Sequence, residues 1–293
     1  MEYFARLEKQ LPYIVFERDF SFARHTTIGC GGTALLAAYP KDGESLALLL
    51  KTLAQENVPY CFLGAGANVL PSDGVFEGVV VRFSNLSALS ADGTRIFAGA
   101  GVTAGALCRF ARENGLSGFE PFTGIPSTVG GGITMNAGVA EGHFSDLVEE
   151  VVGVVDGELV HFTAKDCAFS EKTSVFQSGI AVVQAVLVGE ECPQAEILRR
   201  TRYFREKRKH LPKGRSMGCT FVNPAGVSAG KLIEECGLKG VCLGGARVSE
   251  KHANFILNED GSASDVSALI AFVSGEVERK TGIRLREEIR RIP

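Results

Sequence analysis

The chain contains no tryptophan and only three methionines, and its 31 basic and 34 acidic residues leave a net charge of −3. A balance so close to neutral offers no electrostatic footprint for nucleic acid, which takes a basic stripe or a strongly basic domain. No apolar run approaches the roughly 20 residues that span a bilayer. The opening "MEYFARLEKQLPYIVFERDF" alternates charged with apolar groups where a secretory leader would place an unbroken apolar stretch. A cytoplasmic protein is expected. The eight cysteines include no Cys-x-x-Cys pair and the five histidines no His-x-x-x-His pair, so no metal site and no disulfide framework is expected. The thiols read as reduced and mostly buried, with Cys219 set apart below.

Glycine, by contrast, is abundant, at 35 of 293 residues, well above the usual ~7%. The excess is densest in "TGIPSTVGGGITMNAG", Thr123 to Gly138. Glycine costs roughly 0.5–1 kcal/mol relative to alanine inside a regular element. A run such as Gly130 to Gly132 therefore wants a reason, either a turn needing positive φ or a backbone lying directly against a ligand. Structural turns need one or two glycines, so the longer run points to close approach.

At 293 residues the chain exceeds a typical single core, and two domains or more are expected. Short strand-like runs alternate with a few helices. "SLALLLKTLAQEN" (45–57) and "AGALCRFARENG", ending at Gly115, carry helical spacing; "GVVVRF" (78–83), "TRIFAGAGV" (94–102) and "AVVQAVLV" (181–188) read as strands. "LVEEVVGVVDGELVHFT" (147–163) reads as a hairpin turning at Asp156-Gly157. From Arg199 to Arg215 a basic segment reads as a helix, solvated or bordering a site for an anionic substrate. The last helix, 264–281, has a Ser262/Asp265 capping box, apolar Val266, Leu269, Ile270, Val273 and Val277, and Gly282 beyond its end.

Two nucleotide signatures fail on context. "GAGVTA" (99–104) matches the spacing of a dinucleotide fingerprint, but the helix after it runs into "LSGFEPFTGIP" and not into a second parallel strand. "GVSAGKL" (226–232) has three residues between its glycines where a P-loop has four, and Leu232 where a P-loop has Ser or Thr. A different way of holding a nucleotide fits better: loops that donate main-chain N–H groups to a pyrophosphate. "LGAGANVL" (63–70) and the glycine-rich stretch at 123–138 are the candidates.

Together with "HTTIGCGG" (25–32), "GCTFVNPAG" (218–226), "GLKGVCLGGARVSEKHANFILN" (237–258) and the terminal "LREEIRRIP", these blocks occur in one order over nearly the whole chain. In that order they resemble the UDP-N-acetylenolpyruvoylglucosamine reductases, FAD enzymes that make UDP-N-acetylmuramate for peptidoglycan; the compact region after residue 188 is similar to the shorter branch of that family. The resemblance implies an α+β fold. It places an FAD-binding domain of the vanillyl-alcohol-oxidase type at 1–195, with two subdomains parting near 85. A smaller α+β substrate-binding domain at 196–280 and a tail at 281–293 that returns to the active site complete it. FAD and NADPH are the implied cofactors and UDP-N-acetylglucosamine enolpyruvate the implied substrate.

By the same resemblance the cofactor is held by Gly64, Ala65, Gly66, Ala67, Asn68 and Val69 from the first loop. Gly124, Ile125, Pro126, Ser127, Thr128, Gly130, Gly131, Asn136 and Gly138 hold it from the second. The expectation is that main-chain N–H groups of both loops come within about 3 Å of phosphate oxygens.

The family reaction adds hydride from flavin N5 to the vinyl terminus of an enol ether and a proton to the carbon bearing the carboxylate. It asks for proton donors and a cation. Where resembling enzymes carry a serine as proton donor this chain has Cys219, and an ordinary thiol, at about 8.5, is protonated at neutral pH. Glu288 matches the family's glutamate, with Glu287 on the opposite side of an extended tail. Where the family carries Tyr-Arg before the Ser-x-Phe of a buried strand, "FSEKTSVF" (169–176) has Glu171-Lys172. Lys172 keeps the charge without the planar fork. Asn223 is expected in the substrate pocket. Two further readings remain open: a flavin-binding relative with weakened or lost turnover, and a flavin oxidase of the same fold.

Overall fold

The computed structural model describes residues 2–293 and divides into two compact units. The first comprises the chain up to Arg18, Leu36–Ala65 and Gly78–Lys209; the second comprises Asp19–Leu35, Gly66–Glu77 and His210–Pro293.

The first unit is built on a five-stranded antiparallel sheet in the order Glu158–Thr163, Val148–Val155, Ala181–Val188, Arg95–Gly99, Leu89–Asp92. The hairpin expected at 147–163 forms, and Asp156 (φ 51°) and Gly157 (φ 80°) make the two-residue turn whose left-handed backbone matches strand twist. Because Arg95–Gly99 lies between antiparallel neighbours, the dinucleotide-like "GAGVTA" has no parallel partner strand. A second sheet contributes Tyr60–Leu63, paired in parallel with the end of Val75–Arg82 from Tyr60↔Val79 to Leu63↔Arg82.

The helix Gly43–Gln55 starts at a capping box in which Asp42 and Ser45 satisfy each other's amides. Its spacing sends Leu46, Leu49, Leu50 and Leu53 into the core, each contributing on the order of 2 kcal/mol. The helix Ala104–Glu113 is capped by Thr103 and stops before Gly115 (φ 70°). The basic segment is helical only over Gln194–Arg208. Glu196 takes Arg199 and Arg200, Lys207 pairs with Glu141, and from Arg215 the chain is a strand.

The second unit packs the helix Ala263–Thr281 onto a four-stranded antiparallel sheet in the order Arg215–Cys219, Phe255–Asn258, Ala246–Val248, Cys242–Leu243. Val266, Leu269, Ile270, Val273 and Val277 are all buried, the Ser262/Asp265 box is made, and Gly282 closes the helix at φ 73°. Asp73 adds a second cap, accepting from the amides of Ala263 and Ser264 at 2.8 Å each and from the Ser264 hydroxyl at 2.7 Å. The P-loop-like stretch is an ordinary helix start, Ala229–Glu235 behind an N-cap at Ser228. Finally, Arg290–Ile292 pairs in parallel with Val69–Pro71, returning the tail to the end of the first glycine loop. Among the described residues no helix is long and apolar enough to cross a membrane.

Candidate active site

In the first unit the two glycine motifs meet. A Cβ placed on Gly64 would lie 2.7 Å from the Thr128 hydroxyl oxygen, so the turn after Tyr60–Leu63 backs directly onto the start of the second motif. That second motif differs from the loop expected from its sequence. Val129–Thr134 is a helical turn whose N-cap is Thr128, and its amides are spent inside the protein. Gly130 N–H donates to Ala100 O (2.9 Å), Gly131 N–H to Thr128 Oγ1 (3.2 Å) and Gly132 N–H to Thr128 O (2.7 Å). The expectation that Gly130 and Gly131 offer N–H groups to a phosphate is therefore corrected; what they offer is the absence of a side chain.

The amides of Gly64 and Ala65 are different. Among the described residues they donate to no protein acceptor. The Ser127 hydroxyl oxygen is likewise buried without a hydrogen-bond partner. An anionic group suits such donors, and a cofactor's diphosphate fits that description.

Gly124 is left-handed (φ 77°), and a Cβ placed on it would lie 3.2 Å from Arg208 Cδ. Pro126 is exposed, with Ile125 half-buried beside it. Gly138 sits where a Cβ would collide with Gly142 O in the small hairpin of Gly138–Val139 and Gly142–His143.

Asn136, buried and left-handed (φ 41°), uses its whole side chain as a bracket: Nδ2 donates to Ser170 O and Oδ1 accepts from Ser145 N–H, both at 3.0 Å. The bracket fixes the segment bearing Lys172. That segment is not the strand expected from the family pattern. Ser170 and Thr173 bridge each other, Lys172 occupies the turn at φ 56°, and Val175–Ser178 is a 3₁₀ helix. Gln177 donates to Lys172 O (2.8 Å), and the Ser174 hydroxyl ties the segment to Thr134 O (2.8 Å). Sequence reasoning gave Asn136 only a cofactor contact and missed Gln177; a polar residue directly after the Ser-x-Phe is a weak signal.

In the second unit Gly66 (φ 66°) admits no side chain, because a Cβ would strike His25 O, and its own carbonyl accepts from Thr27 N–H at 3.0 Å. Gly66, Ala67 and Asn68 also have amides that donate to no acceptor among the described residues. Asn68 Nδ2 donates to Glu288 O (3.2 Å) and Asn68 O accepts from Arg290 N–H, while Val69 opens the strand that pairs with the tail.

Cys219 ends the strand Arg215–Cys219 after a bulge at left-handed Gly218 (φ 75°) and is half-buried. The next residues are clamped twice. Asn254, buried, accepts from Phe221 N–H (2.9 Å) and donates to Phe221 O (2.8 Å), while its carbonyl takes Thr220 N–H. On the other side Glu288 N–H donates to Thr220 O and Val222 N–H to Arg286 O, with Phe221 and Glu287 directly opposite. Cys219 and Glu288, 69 positions apart in sequence, are thus carried on neighbouring extended segments.

Glu287 is committed elsewhere, in a two-pronged pair with Arg291, both bonds 3.0 Å. Asn223 accepts from Ala229 N–H through its Oδ1 (3.0 Å). Asn254 was missed in the sequence; nothing in its local pattern marks it.

Burial pushes the thiols of Cys61 and Cys108 up to about 12 and those of Cys30 and Cys167 to about 11, so these four are protonated and inert at neutral pH. Among the described residues no cluster of His, Cys, Asp and Glu is arranged to hold a metal ion.

Both units match known families. Residues 34–163 match the FAD binding domain family, and residues 209–292 match the C-terminal domain of UDP-N-acetylenolpyruvoylglucosamine reductase. The Geobacter metallireducens UDP-N-acetylenolpyruvoylglucosamine reductase is 37% identical over 99% of this chain and 97% of its own, and that of Geobacter sulfurreducens is 36% identical over 98% and 96%. The crystal structure of the Thermus caldophilus enzyme superposes with a TM-score of 0.84 at 34% identity, covering 96% of this chain and all of its own. A solvent-stable cholesterol oxidase shares the fold over 60% of this chain, with a TM-score of 0.51 and 19% identity. With these matches spanning both units, the chain belongs to the UDP-N-acetylenolpyruvoylglucosamine reductase family.

Proposed function

We propose that this chain is an FAD-dependent UDP-N-acetylmuramate dehydrogenase that spends NADPH to reduce UDP-N-acetylglucosamine enolpyruvate in peptidoglycan precursor synthesis. The observation that carries the reading is the clamped pair of segments bearing Cys219 and Glu288, supported by the phosphate-ready amides of the 64–68 loop. When bound, FAD supplies hydride to the terminal vinyl carbon of the substrate.

The chain's own residues do the rest. Amides of Gly64, Ala65, Gly66, Ala67 and Asn68 bind the diphosphate; Ile125, Pro126, Ser127 and Thr128 line the cofactor, and the bare α-carbons of Gly124, Gly130, Gly131 and Gly138 let it approach. Lys172 faces the charge that spreads into the substrate carboxylate, as a point charge without a fork. Cys219 gives its proton to the carbon bearing that carboxylate, and the thiolate left behind is reprotonated from solvent before the next turnover. Glu288 supports the carboxylate end, with Asn223 donating to the substrate from its amide nitrogen.

Separating the two half-reactions tests this. In Cys219→Ala, reduction of bound flavin by NADPH stays near wild type, while substrate-dependent reoxidation slows roughly 10²-fold or more. Cys219→Ser keeps the oxidative half. Equal slowing of both halves in Cys219→Ala would make the thiol structural and remove it from the mechanism.

A further inference from the structure

The guanidinium of Arg82, at the end of Val75–Arg82, reaches back to the turn after the neighbouring strand. Its Nη1 donates to Leu63 O at 3.1 Å and to Gly64 O at 2.9 Å. A trans peptide points its C=O and its N–H in opposite directions. The peptide that carries Leu63 O also carries Gly64 N–H, and the one that carries Gly64 O also carries Ala65 N–H. Two successive carbonyls drawn to one nitrogen therefore turn two successive N–H groups to the opposite side together. An extended chain would alternate them. Among the described residues those two N–H groups have no protein acceptor.

We propose that Arg82 is the positioning residue of the cofactor diphosphate site: it never touches the phosphate, but holds the Gly64 and Ala65 amides as a two-donor nest aimed at it. The assignment rests on the FAD reading above and adds to it a residue that the glycine motif does not contain. Successive amides turned to one side make an anion-binding concavity, and here a side chain rather than the loop's own φ and ψ fixes the turn.

The supports of Arg82 fit that role. It is half-buried, with the Tyr39 hydroxyl and the Glu17 carboxylate beside it, and Tyr39 Oη itself donates to Glu17 Oε2. Burial works against the guanidinium charge, and Tyr39 and Glu17 offset part of that cost. A residue needed only for solubility would stay in water, whereas this cation is kept half out of water, bonded to two carbonyls at a turn. On the far side of the same turn Gly64 abuts Thr128, so the nest is braced from both directions.

The test is a ratio of affinities. Flavin is removed from purified wild type and from Arg82→Met and Arg82→Lys, and each is titrated with FAD and with riboflavin, which has the ring but no diphosphate. In Arg82→Met the two amides are no longer aimed, and two phosphate hydrogen bonds weaken. FAD affinity then falls by on the order of 10–100-fold while riboflavin affinity stays within about threefold of wild type. Arg82→Lys, which keeps a donor-bearing cation, loses less FAD affinity than Arg82→Met.

Equal weakening of both ligands, or FAD affinity unchanged, overturns the assignment. If Arg82→Met shows no cooperative melt, the same ratio in Arg82→Lys decides. Wild-type protein that takes up no FAD would instead overturn the reading of the whole site, which keeps the two failures distinct.

Discussion

Three adjacent glycines in one helical turn make a sharp test of what the glycine run is for, because a methyl group meets different surroundings at each. On Gly132 the new carbon would overlap the Phe144 ring, with Cζ at 2.7 Å and Cδ2 at 2.8 Å. Phe144 has no exposed surface and packs against Phe122, centroids 4.4 Å apart, so the ring has nowhere to go. Overpacking of this kind costs about 3 kcal/mol, against which alanine recovers about 1 kcal/mol of helix propensity, leaving a net loss near 2 kcal/mol. On Gly131 the nearest atom is Thr128 Oγ1 at 3.4 Å, ordinary contact, and the propensity gain stands. The two variants should differ by about 3 kcal/mol, or roughly 6–12 °C in melting temperature for a unit of this size.

With no tryptophan in the chain, unfolding is followed by far-ultraviolet circular dichroism, first without flavin. Gly131→Ala should melt at or above wild type and show its defect only when FAD is titrated in; Gly132→Ala should melt well below wild type with or without flavin. Equal melting of the two would mean that the turn is not the helix described here, and the assignment of its amides would fall with it.

Two more expectations follow from the second unit. Burial works against ionisation of Asp73, but hydrogen bonds from the Ser264 hydroxyl and the amides of Ala263 and Ser264 outweigh it and hold the carboxyl below its ordinary value. Its contribution is present above the unfolded value near 3.9 and fades as pH falls through the lower folded value. Asp73→Ala should therefore lose about 1 kcal/mol at pH 7, and urea titrations should show that gap closing below about pH 4. Asn254→Ala leaves both Phe221 main-chain groups buried without partners, so it should cost about 2 kcal/mol or more. It should also slow flavin reoxidation by substrate more than flavin reduction by NADPH; equal effects would confine Asn254 to stability.

The elements legible in the sequence are those whose local signals agree with their burial. The helix Ala263–Thr281 announces its cap, its apolar stripe and its closing glycine, and the hairpin announces its Asp-Gly turn. The turn Val129–Thr134 is hidden for the opposite reason. Its composition opposes helix, and what forms it is tertiary: the Thr128 cap, the Gly130 bond to Ala100 and the pressure of Phe144. The strand expected around Lys172 was lost in the same way, since Asn136 and Gln177 take the carbonyls of Ser170 and Lys172 and Ser174 anchors the segment to Thr134 O, a turn that no pattern of alternation records. The choice of Cys219 and Glu288 came only through resemblance. No spacing rule connects two segments that run side by side because Thr220 and Glu288 share a main-chain hydrogen bond.

Glycine shows that a backbone is approached closely, and is silent about what approaches it. At Gly130 and Gly132 the approaching groups are Ala100 and Phe144, both of them protein; at Gly64 one side is taken by Thr128 and the N–H side is not. The quantity that separates the cases is the acceptor of each main-chain N–H, because a buried or half-buried donor must be satisfied by something. By that accounting the run of three glycines is a packing device, and in the proposed FAD site the plainer Gly64-Ala65 pair is the binding device. Two motifs alike in glycine thus take two different jobs. The chemistry of phosphate recognition then depends on a strand residue, Arg82, that lies outside both motifs.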